Sequence, residues 1–131
     1  MKIDHIGIAT EKASDAAIWE HLLGSLEPHV EEVPDQGVRV TMLQFGESRV
    51  ELLEPLSGDS PVGRFLAKRG PGIHHLAVRV ENIRQELERL RSKGVRLIDE
   101  TPRLGANGCL VAFVHPSSAN GVLLELVEHQ L

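Results

Sequence analysis

Residues 72–83 read G-I-H-H-L-A-V-R-V-E-N-I and repeat the pattern found at the start of the chain. There, residues 3–9 read I-D-H-I-G-I-A, and the two copies place His5 and His75 at equivalent positions in a chain of 131 residues. A second repeated segment follows, because V-E-L-L-E at 50–54 matches L-E-L-V-E at 124–128 and so places Glu51 and Glu125 at equivalent positions. Each half of the chain therefore has one histidine near its start and one glutamate near its end.

The length and composition are those of one ordinary globular domain, so we expect the repeat to lie inside a single fold. The formal net charge of -5 argues against a nucleic-acid-binding surface, which normally shows a clustered basic excess. Cys109 is the only cysteine, which makes an internal disulfide impossible. The chain enters a strand pattern at once and has no apolar run of membrane-helix length. We therefore expect a cytoplasmic protein.

Hydrophobic periodicity predicts a strand–helix–strand–strand–strand order in the first half and a similar order in the second. Ser60 followed by Pro61, and later Asn82, are favoured helix starts, whereas Gly24, Gly70 and Gly94 are favoured helix ends. The predicted strands are 2–10, 27–33, 38–45, 49–53, 73–80, 95–98, 108–114 and 122–127, and the predicted helices begin near residues 14, 61 and 83.

The matched histidines and glutamates suggest a metal site. If the two halves face each other, His5, Glu51, His75 and Glu125 would come together, and two imidazoles with two carboxylates suit a divalent ion such as Zn, Ni, Co or Mn. A single histidine in an apolar strand is more often structural than a ligand. Four residues at matched positions favour ligation, because a buried carboxylate is costly unless it is paired or bound to an ion.

The other histidines have weaker claims to this site. Strand alternation turns His74 to the face opposite His75, so we expect a structural or supporting position. His115 precedes a proline, which favours a turn. The three that remain fall in helix, loop or tail contexts and are predicted to be solvated: His21, His29 and His129.

Several longer motifs resemble the vicinal oxygen chelate (glyoxalase) superfamily and, within it, the methylmalonyl-CoA epimerases. The specific part runs from D-S-P-V at 59–62 through F-L-A-K-R-G at 65–70 to G-I-H-H-L-A at 72–77. The resemblance implies an α+β fold in which two paired βαβββ modules form a curved, open barrel-like mixed sheet. We expect one domain, with a first module over about 1–56, a connector over about 57–71 and a second module over about 72–131.

The same resemblance implies a metal-dependent epimerase that interconverts the (R) and (S) epimers of methylmalonyl-CoA by proton abstraction at C2 through a metal-stabilised enolate. His5, His75 and Glu125 are the implied ligands, with Glu51 as the fourth. Cobalt is the expected ion, with zinc, nickel or manganese as alternatives, and a homodimer is the expected assembly. Glu125 and Glu51 are the implied catalytic residues.

One position departs from the family pattern. Well-described bacterial members carry a catalytic glutamate on the third strand, where this chain has Val40. The second proton-transfer group is thus unassigned by the resemblance. Basic residues near the barrel mouth are candidates for contact with the CoA phosphates, namely Lys68, Arg69 and Arg103.

Two alternative functions share the fold. A glyoxalase I-like lactoylglutathione lyase uses the same set of two histidines and two glutamates, but the D-S-P and H-H motifs argue against it. A non-catalytic small-molecule-binding member of the superfamily is the other alternative. Such members generally lack the full ligand set, so retention of all four residues disfavours it.

Overall fold

The computed structural model describes residues 1–24 and 27–130, and the boundaries of its elements follow the sequence pattern closely. Both halves begin with a strand and a helix and continue with further strands. A short helix connects the halves. The first half contains β1 (Lys2–Ala9), α1 (Ala16–Leu23), β2 (His29–Val33), β3 (Val38–Phe45) and β4 (Ser48–Pro55); α2 (Pro61–Arg69) follows; the second half contains β5 (Gly72–Arg79), α3 (Ile83–Ser92), β6 (Arg103–Leu104), β7 (Leu110–Val114) and β8 (Leu124–Glu128).

The described chain divides into two compact units. One is His5–His74, and the other combines Met1–Asp4 with residues from His75 onward. The unit boundaries thus fall inside β1 and β5 rather than in the predicted connector. That the whole chain forms one domain stays a prediction. None of the described helices is long and apolar enough to span a membrane.

In the unit His5–His74, the strands lie in the order β2-β3-β4-β1. β4 pairs antiparallel with β3, to which a tight hairpin joins it, and in parallel with β1, from which it is separated in sequence by α1, β2 and β3. Alternate residues of these strands, Leu43, Val50 and Leu52, are buried under α1. The apolar side chains of α1 pack against that cluster, namely Ala16, Trp19 and Leu23.

Ion pairs link the three adjacent strands β2, β3 and β4 of this sheet. Arg39 on β3 lies opposite Glu32 on β2 and Glu54 on β4. It donates hydrogen bonds to both carboxylates, including one of 2.7 Å from Nη2 to Glu32 Oε2. The hydrogen bonds and charge of Glu32, followed by those of Glu54, raise the pKa of Arg39 above its ordinary value.

The second unit repeats this arrangement with the order β5-β8-β7-β6. β8 pairs in parallel with β5 and antiparallel with β7. Ile83 and Leu87 of α3 are buried against Ala112 and Leu126. Leu90 packs at the edge of the same cluster.

The predicted helix starts are confirmed. Ser60 Oγ accepts a hydrogen bond from the Gly63 amide at 3.1 Å, and Asn82 Oδ1 accepts one from the Gln85 amide at 3.1 Å. Such bonds satisfy amides that have no partner inside the helix. The helix ends also follow prediction, with cap residues Gly24 and Gly70 after α1 and α2, and with Lys93 capping α3 immediately before Gly94.

The predicted strand at 95–98 is wrong. Only Leu97 makes a bridge, to Val114, and the regular partner of β7 on that side is the two-residue β6, which the sequence did not predict. The amides of Ile98 and Asp99 both donate to the Phe113 carbonyl, while the Phe113 amide donates to the Asp99 carboxylate at 2.9 Å. In a regular β-ladder the Phe113 amide would donate to a backbone carbonyl. Here it donates to the Asp99 side chain instead, so the ladder is interrupted and no strand forms.

Candidate metal centre

In the unit His5–His74, the structure brings together His5 and Glu51, two of the four candidate residues. His5 Nδ1 on β1 lies 3.3 Å from Glu51 Oε2 on β4. Only 5% of the His5 side chain and 5% of the Glu51 side chain are exposed. Arg49, also on β4, places Nη2 2.9 Å from the same glutamate oxygen. A buried carboxylate is therefore held by an imidazole and a guanidinium.

In the second unit, the other two candidates, His75 and Glu125, also lie side by side. His75 Nε2 on β5 lies 3.0 Å from Glu125 Oε1 on β8, with 5% and 6% of the side chains exposed. The Phe113 ring meets the His75 ring edge-on, with centroids 5.7 Å apart. Phe113 lies directly opposite Glu125 in the β7–β8 ladder, so it covers both members of the pair.

The two pairs occupy the same place in the two strand ladders. Glu51 is registered with Gly7, two residues after His5, and Glu125 is registered with Ala77, two residues after His75. Because strand side chains alternate, a residue and the one two positions along share a face. The sequence repeat is thus a structural repeat, in which each unit presents one histidine and one glutamate side by side.

These residues fit a divalent ion by donor type and by spacing. Ligand atoms about 2.0–2.2 Å from an ion in tetrahedral or octahedral arrangement lie roughly 3.0–3.5 Å from one another. The two nitrogen-to-oxygen distances, 3.3 Å and 3.0 Å, fall in that range. His5, His75 and Glu125 are all buried and offer donor atoms that could hold a metal ion.

The remaining histidines mostly follow prediction. The His74 ring meets the edge of Phe65 at a centroid distance of 5.0 Å, which is the structural position expected for it. His115 lies in a turn, where its Nδ1 accepts a hydrogen bond of 3.0 Å from the Ser117 amide. His21 and His29 are exposed, as predicted. His129 was predicted to be solvated, and this is wrong: its Nε2 lies 2.6 Å from Asp4 Oδ1, and 28% of its side chain is exposed.

Val40 lies on the face of β3 that also carries the residue opposite Glu51. Met42 is registered with Glu51, and Val40 is two positions further along the same face. Val40 is 3% exposed and directly opposite Leu53, which is 4% exposed. On its other side Val40 is directly opposite Glu31 of β2, and the Val40 side chain itself has no group that could transfer a proton.

The proposed contacts to the CoA phosphates stay predictions. Lys68 and Arg69 form the exposed last turn of α2, where Arg69 lies over the Phe65 ring at 5.7 Å. Arg103 differs from these two because its Nε lies 3.1 Å from Asp99 Oδ1. A phosphate would have to compete with that carboxylate.

Comparison with known proteins identifies the family. Residues 4–113 match the model of the Glyoxalase/Bleomycin resistance protein/Dioxygenase superfamily. The chain belongs to this superfamily. It is 45% identical to the uncharacterized protein YqjC of Bacillus subtilis, over 97% of this chain and 91% of that one. It is 36% identical to the ethylmalonyl-CoA/methylmalonyl-CoA epimerase of Cereibacter sphaeroides, over 95% of this chain and 96% of the relative.

A solved structure extends the likeness to the whole fold. A Streptomyces coelicolor methylmalonyl-CoA epimerase variant in complex with 2-nitronate-propionyl-CoA is 38% identical, with a TM-score of 0.93 over 100% of this chain and 99% of that one. The predicted family resemblance and the predicted α+β fold class are therefore confirmed. This superfamily member is related to methylmalonyl-CoA epimerases.

Sequence reasoning missed Arg49 and the pairing of Asp4 with His129. The position of Arg49 could have been predicted from the sequence, because Arg49 is two residues before Glu51 on one strand and therefore shares its face. Asp4 and His129 are 125 positions apart, and His129 lies just beyond the repeated segment at 124–128. No local pattern points to this pair.

Proposed function

We propose that this superfamily member is a metal-dependent epimerase that interconverts the (R) and (S) epimers of methylmalonyl-CoA. The observation that carries the proposal is the buried histidine–glutamate pair found at the same ladder position in each unit. The proposed ligands of one divalent ion are His5, His75 and Glu125, with Glu51 as the fourth. Epimerase relatives that share nearly the full length of the chain support the substrate assignment.

The residues divide the chemistry between them. The bound ion would act as a Lewis acid that stabilises the negative charge developing on the thioester oxygen as the C2 proton leaves. Glu125 is the proposed proton-transfer group on one face of C2. Its burial, at 4% exposed, keeps water from competing for that proton, and its contact with His75 holds the carboxylate in one orientation.

Epimerisation also needs a proton-transfer group on the opposite face of C2. Val40 cannot serve, so we propose Glu51, whose oxygen is placed by His5 and Arg49. The two glutamates come from different units, and each is buried beside a histidine. On this proposal, one glutamate accepts the C2 proton as a carboxylate, and the other glutamate, in its protonated form, donates a proton to the opposite face of C2.

Exchange of the C2 hydrogen tests the proposal directly. The metal-loaded protein is incubated with (S)-methylmalonyl-CoA in deuterium oxide, and both deuterium content and C2 configuration are followed. We expect deuterium to enter and the (R) epimer to form, with both processes stopped by a chelator. Conversion of a glutathione hemithioacetal instead would favour the lyase, and tight thioester binding without exchange would favour a non-catalytic binding protein.

The identity of the ion, the assembly and the compartment also belong to this proposal. Cobalt is the ion we propose, and metal analysis after loading with cobalt, zinc, nickel or manganese, followed by activity measurement, tests the choice. We further propose a homodimer in the cytoplasm. If the chain forms a homodimer, sedimentation velocity of the purified protein should show a mass of about twice 14.4 kDa.

A further inference from the structure

A cavity of about 500 Å³ lies at the carboxyl end of β5, and none of the four proposed metal ligands lines it. Its walls belong to the unit that combines Met1–Asp4 with residues from His75 onward, and they are formed by Met1, Lys2, Arg79, Val80, Glu81 and His129. The Nε2 atom of His129 lies 2.6 Å from Asp4 Oδ1, which fixes the imidazole. The cavity is thus bounded by two basic side chains and by a histidine held in place.

Arg79 differs from the other arginines of comparable burial in the described part of the chain. Four arginines there are more than half buried, and three of them contact a carboxylate: Arg39, Arg49 and Arg103. The fourth is Arg79, whose guanidinium makes neither an ion pair nor a hydrogen bond with any described residue. Because a partly buried guanidinium is costly without an acceptor, its donors are available to an anion in the cavity.

The sum of the charges around the cavity does not by itself select an anion. Lys2 and Arg79 are positive, and Glu81 on the same wall is negative. Asp4 adds a second carboxylate behind His129, where only 5% of its side chain is exposed. With a neutral imidazole these charges cancel. The carboxylates nevertheless leave the two cations unpaired, because neither Lys2 nor Arg79 forms an ion pair with a described residue.

We propose that Arg79 and Lys2 form a phosphate-binding subsite in this cavity. A guanidinium donates paired hydrogen bonds to phosphate oxygens, and a lysine ammonium adds a compact charge with three donors. A phosphate group has three strong acceptor oxygens, so it can accept from donors on two different strands, here β5 and β1. A carboxylate has fewer acceptor oxygens for the same two donors.

The tail of a CoA thioester is the source of phosphate that the geometry favours, and this part of the inference rests on the proposed function. Arg79 is four residues after His75 on β5 and opposite Val127 of β8, so it shares the face of the His75–Glu125 pair. A strand rises about 3.3 Å per residue, which places Arg79 roughly 13 Å beyond His75. The pantetheine arm of CoA has about the reach of four or five extended residues, roughly 13–18 Å.

Isothermal titration of the cobalt-loaded protein with acetyl-CoA and with S-acetylpantetheine tests the subsite, because the second thioester lacks all phosphates. Arg79→Gln should weaken acetyl-CoA binding by roughly tenfold or more. Lys2→Gln should weaken it by roughly two- to fivefold, since Lys2 is exposed. Binding of S-acetylpantetheine should stay within about twofold of wild type in both variants.

Two further variants sharpen the test. Glu81→Gln removes the carboxylate from the cavity wall and should tighten acetyl-CoA binding by roughly two- to fivefold, opposite in sign to Arg79→Gln. Lys93→Gln is the control, because this exposed lysine lies at the other end of α3 and does not line the cavity. It should bind both thioesters as wild type does. Melting temperature and metal content are measured for each variant, so that loss of the fold or of the ion is recognised separately.

Unchanged acetyl-CoA affinity in Arg79→Gln would overturn the subsite. Equal weakening of both thioesters would also overturn it, because the effect would not depend on the phosphates. If inorganic phosphate binds wild type as tightly as acetyl-CoA does and is lost in Arg79→Gln, the subsite holds a free phosphate and its assignment to the CoA tail is wrong. If acetyl-CoA binding depends on Arg79 but methylmalonyl-CoA exchanges no deuterium, the proposed function falls and the subsite stands.

Discussion

Each of the two buried glutamates faces a histidine at about hydrogen-bonding distance, and this arrangement limits what either residue can do. A carboxylate that is about 95% buried needs a positive partner or an ion. His5 and His75 supply a nitrogen to Glu51 and Glu125 at 3.3 Å and 3.0 Å. Substitution of either histidine should therefore lower the amount of metal bound to the protein.

His75→Ala should lose most of its bound metal, because it removes a ligand and leaves Glu125 without its imidazole neighbour. The wild-type protein should hold about one divalent ion per chain after loading and desalting. Elemental analysis of both proteins provides the measurement. His29→Ala is the control, since 63% of that side chain is exposed and it should keep the wild-type metal content. Equal metal content in wild type and His75→Ala would contradict the prediction.

The two glutamates should differ in what their substitution removes. Glu125→Gln should reduce exchange of the C2 proton from either epimer by at least about 100-fold, on the usual scale of general-base catalysis. Glu51→Gln should retain its metal and exchange deuterium into one epimer far faster than it converts that epimer into the other. Time courses of deuterium content and C2 configuration distinguish the two effects.

A rescue experiment adds a second test of Glu51. Val40 shares the face of Glu51 and lies diagonally across the β3–β4 ladder, where side chains are roughly 7–8 Å apart. Introducing Val40→Glu into Glu51→Gln should restore part of the epimer conversion. If Glu51→Gln epimerises at the wild-type rate, Glu51 is a ligand only, and another group or a water serves the second face.

At the scale of the elements, α2 contains a residue whose substitution separates helix propensity from packing. Gly63 lies in this helix, where alanine is normally favoured by about 1 kcal/mol. A Cβ at this position would lie 2.5 Å from the Ser57 carbonyl oxygen and 2.7 Å from that of Gly58. Both atoms belong to the backbone, so the chain has little room to adjust.

Gly63→Ala should therefore destabilise the protein by about 1–3 kcal/mol, the usual cost of overpacking. Chemical denaturation followed by circular dichroism measures the difference in free energy of unfolding. Gly58→Ala serves as the control, because a Cβ there meets nothing within 4 Å, and its effect should be small. A Gly63→Ala protein as stable as wild type would show that the loop before α2 moves away without cost.

At the scale of the whole molecule, the metal should contribute to stability as well as to chemistry. An ion that binds only the folded chain stabilises it by about 2.7 kcal/mol when its free concentration is 100 times the dissociation constant. Melting should therefore occur several degrees lower after treatment with a chelator and should recover when metal is restored. His75→Ala should melt at the same temperature with and without chelator. A wild-type protein whose melting is unaffected by metal removal would contradict this.

The repeat, the faces of the strands and helices, and the metal-site candidates could all be predicted from the order of the amino acids. The four candidate residues were predictable because each residue type recurs at a matched position, and strand alternation assigns it to a face. The helix starts at Ser60 and Asn82 were predictable because capping is a local interaction between a side chain and an amide three residues away.

Contacts that depend on strand register or on segments distant in sequence could be identified only from the folded chain. The break in the predicted strand at 95–98 depends on the Asp99 carboxylate reaching the amide of Phe113, and His129 reaches Asp4 across nearly the whole sequence. The guanidinium of Arg49 shares a face with Glu51 by alternation, yet its approach to His5 depends on how β4 pairs with β1. Periodicity reports which way a side chain points, but only the paired strands bring residues distant in sequence within hydrogen-bonding distance.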